Sequence, residues 1–366
     1  MMQTTQIRIK YLDGLRGIAI FLVILSHYWG MAAPDILPFG DKFEYVRIVR
    51  QGWVGVELFF LISGFVILTT IERCKDLKQF LYRRWLRLFP TMLLATILTL
   101  LFNWTVQPVP RLANNAWMDA LPGLTFVAPS FFNLLPNIEV KSLNGSFWSL
   151  YTEVAFYIIF GATFFLLGWR KAVLVIFSLG FITLIGRDWL AAAGVVGIGA
   201  RIIEPFEWVG FKFFLWFVSG ILFAKSQYLH SNKIFGLACI FGLLAACVVS
   251  PNLQPLKMGD RYAMVAVVAL FATALKWPWL QRLLEWRPLL FLGAVSYPLY
   301  LIHESIGLGL IVLTHRYAPW ISDALLPVPT LVLMLFIGHH IASHVEPRLK
   351  SLIDGGLGTN RLQPLR

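Results

Sequence analysis

Residues 11–30 read YLDGLRGIAIFLVILSHYWG, an apolar run long enough to cross a bilayer that also contains Arg16 and His27. Ionisable side chains inside a span are costly, so they are candidates for functional residues. The two residues are eleven positions apart, about three helical turns, so both side chains lie on one helix face. At about 1.5 Å per residue they are about 16 Å apart along the axis. This face suits a long anionic ligand whose reactive end reaches the histidine.

The composition of the 366-residue chain is that of a polytopic membrane protein. The chain is 58% hydrophobic and 14% charged, whereas soluble domains are about a quarter charged, and its mean hydropathy is +0.71. These values exclude a soluble multidomain protein and predict an all-α bundle in the lipid bilayer. The net charge of +12 does not indicate nucleic-acid binding, because no dense, solvated basic run is present. Basic loops kept in the cytoplasm explain the charge better.

The hydropathy pattern predicts about ten membrane-spanning helices. We place them at residues 12–31, 53–71, 80–104, 146–167, 171–190, 208–226, 233–250, 261–277, 288–312 and 324–345. Residues 190–207 are rich in small side chains and form either a loop or a re-entrant segment. With an even count both termini lie on the side that holds most of the 31 Lys and Arg, which predicts N-in/C-in. We expect one transmembrane domain over 1–350 and a short cytoplasmic tail over 351–366.

A group of arginines lies near the cytoplasmic ends of the first and third spans. Arg84 and Arg87, in FLYRRWLRLFP, are three positions apart, so they share a helix face and together could hold two anionic groups. Arginine binds phosphate through paired hydrogen bonds. With Arg16, the pair forms a candidate site for a phosphorylated ligand. The alternative is that these arginines only anchor the helix at the cytoplasmic lipid surface.

A second group of polar residues lies at the predicted outer ends of the spans. It contains two histidines and three carboxylates: His27, Glu57, Glu153, His303 and Glu304. A histidine beside a carboxylate at this depth is a candidate general base, since the carboxylate fixes the tautomer and orientation of the imidazole. The alternative is that each histidine only makes a structural hydrogen bond.

Metal and serine chemistry fit the sequence less well. The three cysteines are not spaced as a zinc site, and neither are the outer histidines, so we expect no metal. Ser63 and Ser149 lie within spans, but neither is in the Gly-x-Ser-x-Gly pattern of serine hydrolases. The Ser63-Gly64 pair is more typical of close helix packing or a kink.

Four segments in order resemble the membrane acyltransferase-3 family, bacterial proteins that O-acylate sugars and other envelope acceptors. They are YLDGLRGIAIFLVILSH with the family's Arg-x₁₀-His, GVELFFLISGFVI, RRWLRLFP with its Arg-x-x-Arg, and SFWSLYTEVAFY. The segments SYPLYLIH and VEPRLK are weaker matches. The resemblance extends from residue 11 to about residue 350, which is nearly the whole chain.

The resemblance implies roles for the residues near the donor. His27 would be the catalytic base, and Arg16 would support either this base or the donor. Arg84 and Arg87 would bind an acyl-coenzyme A donor, acetyl-coenzyme A or another acyl thioester, from the cytoplasm.

The resemblance also extends to the fourth predicted span. Glu153 matches the family's glutamate after Trp-Ser-Leu, so we expect it to act in catalysis. Many members carry Glu-Glu-Gln there, whereas this chain has a single carboxylate. Glu57, Trp148 and His303 are the residues that we expect to contact the acceptor.

These patterns predict an O-acyltransferase, most simply an O-acetyltransferase, of the bacterial cytoplasmic (inner) membrane. The acceptor would be a hydroxyl of an envelope or exported carbohydrate or a glycolipid, with His27 as general base or transient acyl carrier. The alternative is a proton-coupled transporter that uses the same intramembrane His and Glu residues as a relay. No internal repeat is visible in the sequence, and a proton relay does not need the arginine pair. A scaffold without chemistry leaves both polar groups unexplained.

Overall fold

The protein is described by a computed structural model that covers residues 9–30, 36–106, 115–192, 196–249 and 257–356. Within these ranges the chain is helical and contains no β-strand, in agreement with the predicted all-α class. The α-helices, in chain order, are α1 (Lys10–Trp29), α2 (Arg47–Arg50), α3 (Gly55–Ile71), α4 (Leu77–Val106), α5 (Leu121–Thr125), α6 (Pro129–Phe132), α7 (Trp148–Leu167), α8 (Trp169–Ala192), α9 (Val196–Val209), α10 (Phe214–Tyr228), α11 (Asn232–Val248), α12 (Met258–Lys276), α13 (Pro278–Leu284), α14 (Arg287–Ile302), α15 (Ser305–Tyr317), α16 (Pro327–His340) and α17 (Glu346–Gly356). Short 3₁₀ turns lie at Gly52–Val54, Trp117–Ala120, Gly145–Phe147 and Phe211–Phe213, and a π-helical turn lies at Ile341–Val345.

The helices confirm a polytopic membrane protein. Within the described ranges, seven helices are long and apolar enough to cross a bilayer, and the count rises to nine if each of two bent helix pairs forms one span. The predicted span 233–250 corresponds to α11, an apolar helix of 17 residues. An apolar helix or a bent pair of helices therefore lies at the position of each of the ten predicted spans. Their number in the membrane and the N-in/C-in orientation stay predictions.

Two regions differ from the sequence prediction. The predicted span 288–312 is not one helix but two, α14 and α15, which are bent by 78° across a break at residues 303–304. The described part of 190–207 is helical in α8 and α9, so the loop alternative is wrong for these residues. The second half of α9 and the segment Phe211–Tyr228 form the other bent pair, with an angle of 57°.

Side chains from another part of the chain explain why α14 ends inside the bundle. The Asn144 amide donates to the Leu301 carbonyl at 2.8 Å, and the Ser146 hydroxyl donates to the Tyr300 carbonyl at 3.3 Å. Carbonyls at a helix end need such donors where water is absent. The apolar sequence continues through the break, so hydropathy alone does not reveal it.

Close backbone packing fixes α1 against α14. A Cβ atom on Gly293 would lie 1.9 Å from the Asp13 carbonyl oxygen, so only glycine permits this contact. The two helices meet again at His27 and His303, whose rings are in contact, so α1 and α14 run in the same direction. This arrangement brings the histidine of the first span to the break in the ninth.

The helix α10 lies at the centre of the bundle. Every residue from Phe214 to Ser226 is buried, as expected for a helix that is apolar on all sides. Its aromatic rings pack against α7, where Phe217 stacks on Phe156 with centroids 4.1 Å apart. The polar residues of the neighbouring helices are therefore held by a rigid apolar core.

The segment between α4 and α7 folds onto the bundle where the structure describes it. The Asp119 carboxylate accepts hydrogen bonds from the backbone N–H of Ala116 at 2.9 Å and of Lys141 at 2.7 Å. The Asn103 amide of α4 donates to Asn115 at 2.8 Å, which ties the segment to the helix.

The C-terminal part of the described chain is helical. The helix α17 continues through residue 350, and its Asp354 accepts a hydrogen bond of 2.8 Å from the Tyr82 hydroxyl of α4. Residues 357–366 lie outside the described ranges, so the boundary at 350 stays a prediction.

Candidate functional site

A partly open cavity lies between five helices of the bundle. Its polar lining comes from α1, α3, α4, α7 and α14, and includes Arg16, Ser63, Arg87, Ser149, Glu153, Ser296, Tyr297 and Tyr300. Along α3 the lining runs from Val56 to Val66, which is about 15 Å of helix. The cavity therefore matches in length the separation predicted between Arg16 and His27.

Two arginines form the cationic part of this cavity. Arg16 makes an ion pair of 2.9 Å with Asp13, one turn earlier on α1, and its side chain is 19% exposed. Arg87 comes from α4 and is exposed, so the cavity is open beside it. The structure thus brings together Arg16 and Arg87, which were predicted to bind the donor.

Arg84 and Arg87 have different surroundings in the structure. Arg84 is only 5% exposed and does not line the cavity, and its guanidinium lies 5.3 Å from the ring centroid of Tyr157 and 5.9 Å from that of Phe80. A side chain that reached for the lipid surface would be exposed, so the anchoring alternative is wrong for Arg84. Spacing of three residues places the two arginines on neighbouring positions, but only one of them faces the cavity.

The carboxylate of Glu153 is part of a hydrogen-bonded cluster in the cavity wall. It accepts hydrogen bonds from the hydroxyls of Ser63 and Tyr157, which are themselves 3.0 Å apart. Ser63 therefore donates a hydrogen bond to Glu153, which its interpretation as a packing residue did not predict. The cluster places a negative charge in the same cavity as Arg16 and Arg87.

His27 and His303 form a pair at the break between α14 and α15. Their ring centroids are 4.7 Å apart and the rings are nearly perpendicular. The Nδ1–H of His27 donates to the Val23 carbonyl at 2.9 Å, and that of His303 donates to the Tyr300 carbonyl at 2.7 Å. In the neutral form of each ring the Nε2 atom then carries the lone pair, as a general base or nucleophile requires.

The partner that orients His27 differs from our expectation. We expected a carboxylate, but the backbone carbonyl of Val23 fixes the tautomer instead, while Glu153 bonds to hydroxyls in the cavity. The other two outer carboxylates, those of Glu304 and Glu57, do not orient His27 either. Glu304 lies against Gly145, and Glu57 is buried in α3 with one oxygen that has no partner among the described residues.

Tyr300 links the cavity to the histidine pair. Its hydroxyl is hydrogen bonded to Ser149 at 2.8 Å, and both residues line the cavity. Its ring centroid is 5.5 Å from that of His303, one turn further along the chain. Tyr300 and His303 therefore connect the cavity to His27 through successive ring contacts, and His27 itself does not line the cavity.

Of the three predicted acceptor contacts, only His303 adjoins His27. Trp148 packs on Phe213, with ring centroids 4.8 Å apart, and does not line the cavity. In the described part of the chain, no group of three His, Cys, Asp or Glu side chains is arranged to hold a metal ion.

Sequence reasoning missed several members of the site. Asp13 and Tyr157 could have been found, because they are three and four residues from Arg16 and Glu153 and helical spacing brings such pairs together. Tyr297 and Tyr300 lie in the segment SYPLYLIH, a weaker match to the family, but no spacing rule predicts their contacts, since these depend on which helices become neighbours.

Taken together, the fold and the site define a multi-pass membrane protein whose bundle encloses a cationic cavity beside a pair of histidines. The chain belongs to the acyltransferase-3 family, because the model of that family's acyltransferase domain matches residues 9–339. The predicted resemblance is thereby confirmed over nearly the whole chain.

Similar curated proteins include acetyltransferases from several bacteria and a phage. The peptidoglycan O-acetyltransferase OatA of Listeria monocytogenes is 24% identical over 336 residues, covering 84% of this chain and 51% of the relative. The O-acetyl transferase of Shigella phage Sf6 is 29% identical over 172 residues, 45% of this chain and 48% of that protein. The acyltransferase MdmB of Streptomyces mycarofaciens is 27% identical over 206 residues, 55% and 46% of the two chains.

The chain spans about half the length of these curated relatives. No solved structure is significantly similar to it.

Proposed function

We propose that this chain is a membrane O-acyltransferase that moves an acyl group, most simply acetyl, from a coenzyme A thioester to a carbohydrate hydroxyl. The observation that supports this is the cavity with Arg16 and Arg87 whose end at Tyr300 adjoins the pair His27 and His303. An anionic donor and an imidazole base are what acyl transfer from such a thioester needs.

The cationic part of the cavity fits the donor. Coenzyme A carries phosphates, and the guanidinium groups of Arg16 and Arg87 would hold them through charge-assisted hydrogen bonds. The thin pantetheine arm would then occupy the cavity along α3 and bring the thioester towards His27. We place the arginine end in the cytoplasm, with both termini, because basic segments are retained there. The domain assignment 1–350 and the inner-membrane location belong to the same proposal.

The Nε2 atom of His27 acts as the base in the proposed reaction. Nε2 takes the proton of the acceptor hydroxyl, and the acceptor oxygen attacks the thioester carbonyl carbon, so that the C=O π pair moves to the oxygen. The tetrahedral intermediate then collapses, the C–S bond breaks, and the thiolate takes the proton from the imidazolium. In the alternative route, Nε2 itself attacks and carries the acyl group before the acceptor does.

The acceptor is proposed from the names of the relatives, which include peptidoglycan and other O-acetyltransferases. A hydroxyl of an envelope glycan or glycolipid would approach His27 from the outer side of the bundle. Glu57, Trp148 and His303 stay our proposed acceptor contacts, and His303 is the member that touches His27.

The test uses the full-length chain, purified in detergent, with labelled acetyl-coenzyme A and a panel of glycans. Loss of thioester that depends on the glycan, with label recovered on the glycan as ester, is the expected result. Labelled glycan or proton uptake into liposomes without thioester loss would instead support the transporter. Mass spectrometry of envelope glycans from cells with and without the gene identifies the acceptor.

Glu153 provides a separate prediction about the cavity wall. Replacement with alanine removes the acceptor shared by the hydroxyls of Ser63 and Tyr157. One hydroxyl can then donate to the other, so one donor loses its partner, and a buried unpaired polar group costs about 1–3 kcal/mol. We expect a lower midpoint of thermal unfolding and a higher donor KM. Glu153→Gln keeps one carbonyl acceptor and should lie between alanine and wild type. An unchanged KM in both variants would show that Glu153 does not shape the donor site.

A further inference from the structure

The N-terminus of α15 lies inside the bundle, next to the histidine pair. Two residues of α1 lie against this helix end. The ring of His27 contacts His303, just before the helix, and the hydroxyl of Tyr28 lies against Gly307 in its first turn. A Cβ atom at position 307 would come within 2.1 Å of the Tyr28 oxygen, so glycine is required for this approach.

The first turn of α15 has N–H groups without an intrahelical partner. The first such bond joins the Leu308 N–H to the Glu304 carbonyl at 2.8 Å, so the N–H groups of residues 305–307 precede it. The side chain of Glu304, the N-cap residue, makes no capping bond, because its carboxylate lies against Gly145. A helix of 13 residues carries partial positive charge at such an end, which favours an anion.

Three buried polar atoms beside this helix end also lack a partner among the described residues: the Tyr28 hydroxyl, the His303 Nε2 and one carboxylate oxygen of Glu304. Tyr28 and His303 are completely buried, and neither the Tyr28 hydroxyl nor the His303 Nε2 has a hydrogen-bond partner among the described residues. Buried polar groups in folded proteins are nearly always paired, so an unpaired one is a candidate to hydrogen bond with a ligand or to act in catalysis. The Tyr28 hydroxyl and the helix N–H groups donate, so they fit a hydrogen-bond acceptor, whereas the His303 Nε2 and the Glu304 oxygen accept and fit a donor.

We propose that the first turn of α15 and the Tyr28 hydroxyl form an oxyanion site, which binds the carbonyl oxygen of the transferred acyl group. The proposal rests on the acyl-transfer function above and names the group that stabilises its transition state. When the acceptor oxygen attacks, the carbonyl π pair becomes a full charge on this oxygen. The N–H groups and the hydroxyl then donate to that charge while His27 Nε2 holds the proton.

The site serves both routes that are open for His27. Attack by the acceptor oxygen and attack by Nε2 form different bonds, C–O and C–N, but both make the acyl carbon tetrahedral and leave a negative charge on its carbonyl oxygen. On collapse, the pair returns to the carbonyl and the C–S bond breaks, so Tyr28 donates a hydrogen bond and never transfers its proton. Tyr28 is therefore a catalytic residue that acts on the rate and not on donor affinity.

The test compares two buried tyrosines that both lack a hydrogen-bond partner. In Tyr28→Phe, kcat should fall about 10²-fold with an unchanged donor KM, as for loss of one oxyanion donor. In Tyr151→Phe, the matched control, kcat should stay at the wild-type value. Neither change should lower the unfolding midpoint, because each removes an unpaired buried hydroxyl. Wild-type kcat in Tyr28→Phe, or an equal loss in both variants, overturns the oxyanion site.

A binding measurement separates this proposal from the proposed function. The probe is a trifluoromethyl ketone analogue of acetyl-coenzyme A, whose tetrahedral adduct places an oxygen where the oxyanion forms. Wild type should bind it more tightly than coenzyme A, and Tyr28→Phe should lose this difference while keeping its affinity for coenzyme A. Equal affinity of wild type for both ligands overturns the oxyanion site. Failure of acyl transfer to every glycan, with intact binding of coenzyme A, counts against the function alone.

Discussion

Replacing His27 with glutamine is expected to lower kcat for acyl transfer by at least about 10³-fold, within the range for loss of a general base. Glutamine still fits the site and keeps a polar side chain, but it has no basic nitrogen with a lone pair. The Nδ1–H bond to Val23 shows that the wild-type imidazole presents Nε2 for this purpose. The measurement is glycan-dependent release of coenzyme A by the purified variant, with the donor KM determined in parallel.

The matched control for this variant is His339→Gln. His339 is an exposed histidine at the end of α16, where its ring packs beside Phe291 with centroids 5.6 Å apart. The same substitution there should leave kcat unchanged. If His27→Gln folds, as judged by its unfolding midpoint, and transfers acetyl at the wild-type rate, His27 is not the base.

The same preparation distinguishes the two routes for His27. Wild type is mixed with labelled acetyl-coenzyme A in the absence of any glycan and quenched rapidly. The acyl-histidine route predicts one acetyl group per chain, lost again on addition of the glycan, and release of an equal amount of coenzyme A. The general-base route predicts no labelled protein, since proton removal and attack then need the acceptor.

The first helix shows how much of the site the sequence can determine. Arg16 and His27 are on one helix, so their spacing and shared face follow from helix geometry alone. Their surroundings do not follow from it. Asp13 was within reach of the same reasoning, and Arg87 was expected beside Arg16 from its predicted depth. Tyr300 comes from a helix whose neighbours are set by packing, as at Gly293.

The break between α14 and α15 shows why other parts of the fold could not be predicted from the sequence. A continuous apolar run indicates one span, and residues 288–312 form such a run. The helix ends because Asn144 and Ser146, far away in the sequence, satisfy the carbonyls that the break exposes. Hydropathy reports the cost of burying side chains and carries no information about which distant donors will meet a helix end.

The exposed Arg87 provides the second prediction with a large effect. Arg87→Ala should raise the donor KM by about 10-fold to 100-fold with little change in kcat, because one charge-assisted hydrogen bond contributes about 1.5–3 kcal/mol. Arg87 lines the cavity and is exposed, so its loss leaves no buried group without a partner. Arg87→Lys keeps the charge but loses the paired hydrogen bonds, and its KM should be intermediate.

Two comparisons make this prediction specific. Arg83→Ala removes the same charge from the same helix but not from the cavity lining, and it should leave the donor KM unchanged. Acetyl-pantetheine lacks the nucleotide phosphates, so its KM should be equal for wild type and Arg87→Ala if the arginine binds those phosphates. A donor KM that is the same in Arg87→Ala and wild type with acetyl-coenzyme A would contradict the assignment.

Arg84 should respond differently, although it is only three residues away. Its guanidinium is buried against the rings of Phe80 and Tyr157, so alanine removes packing and two cation–π contacts. We expect Arg84→Ala to lower the midpoint of thermal unfolding, whereas Arg87→Ala should leave it unchanged. Equal effects of the two variants on donor KM, with equal stability, would restore the original prediction that both arginines bind the donor. The structure predicts instead that one binds and the other supports the wall behind it.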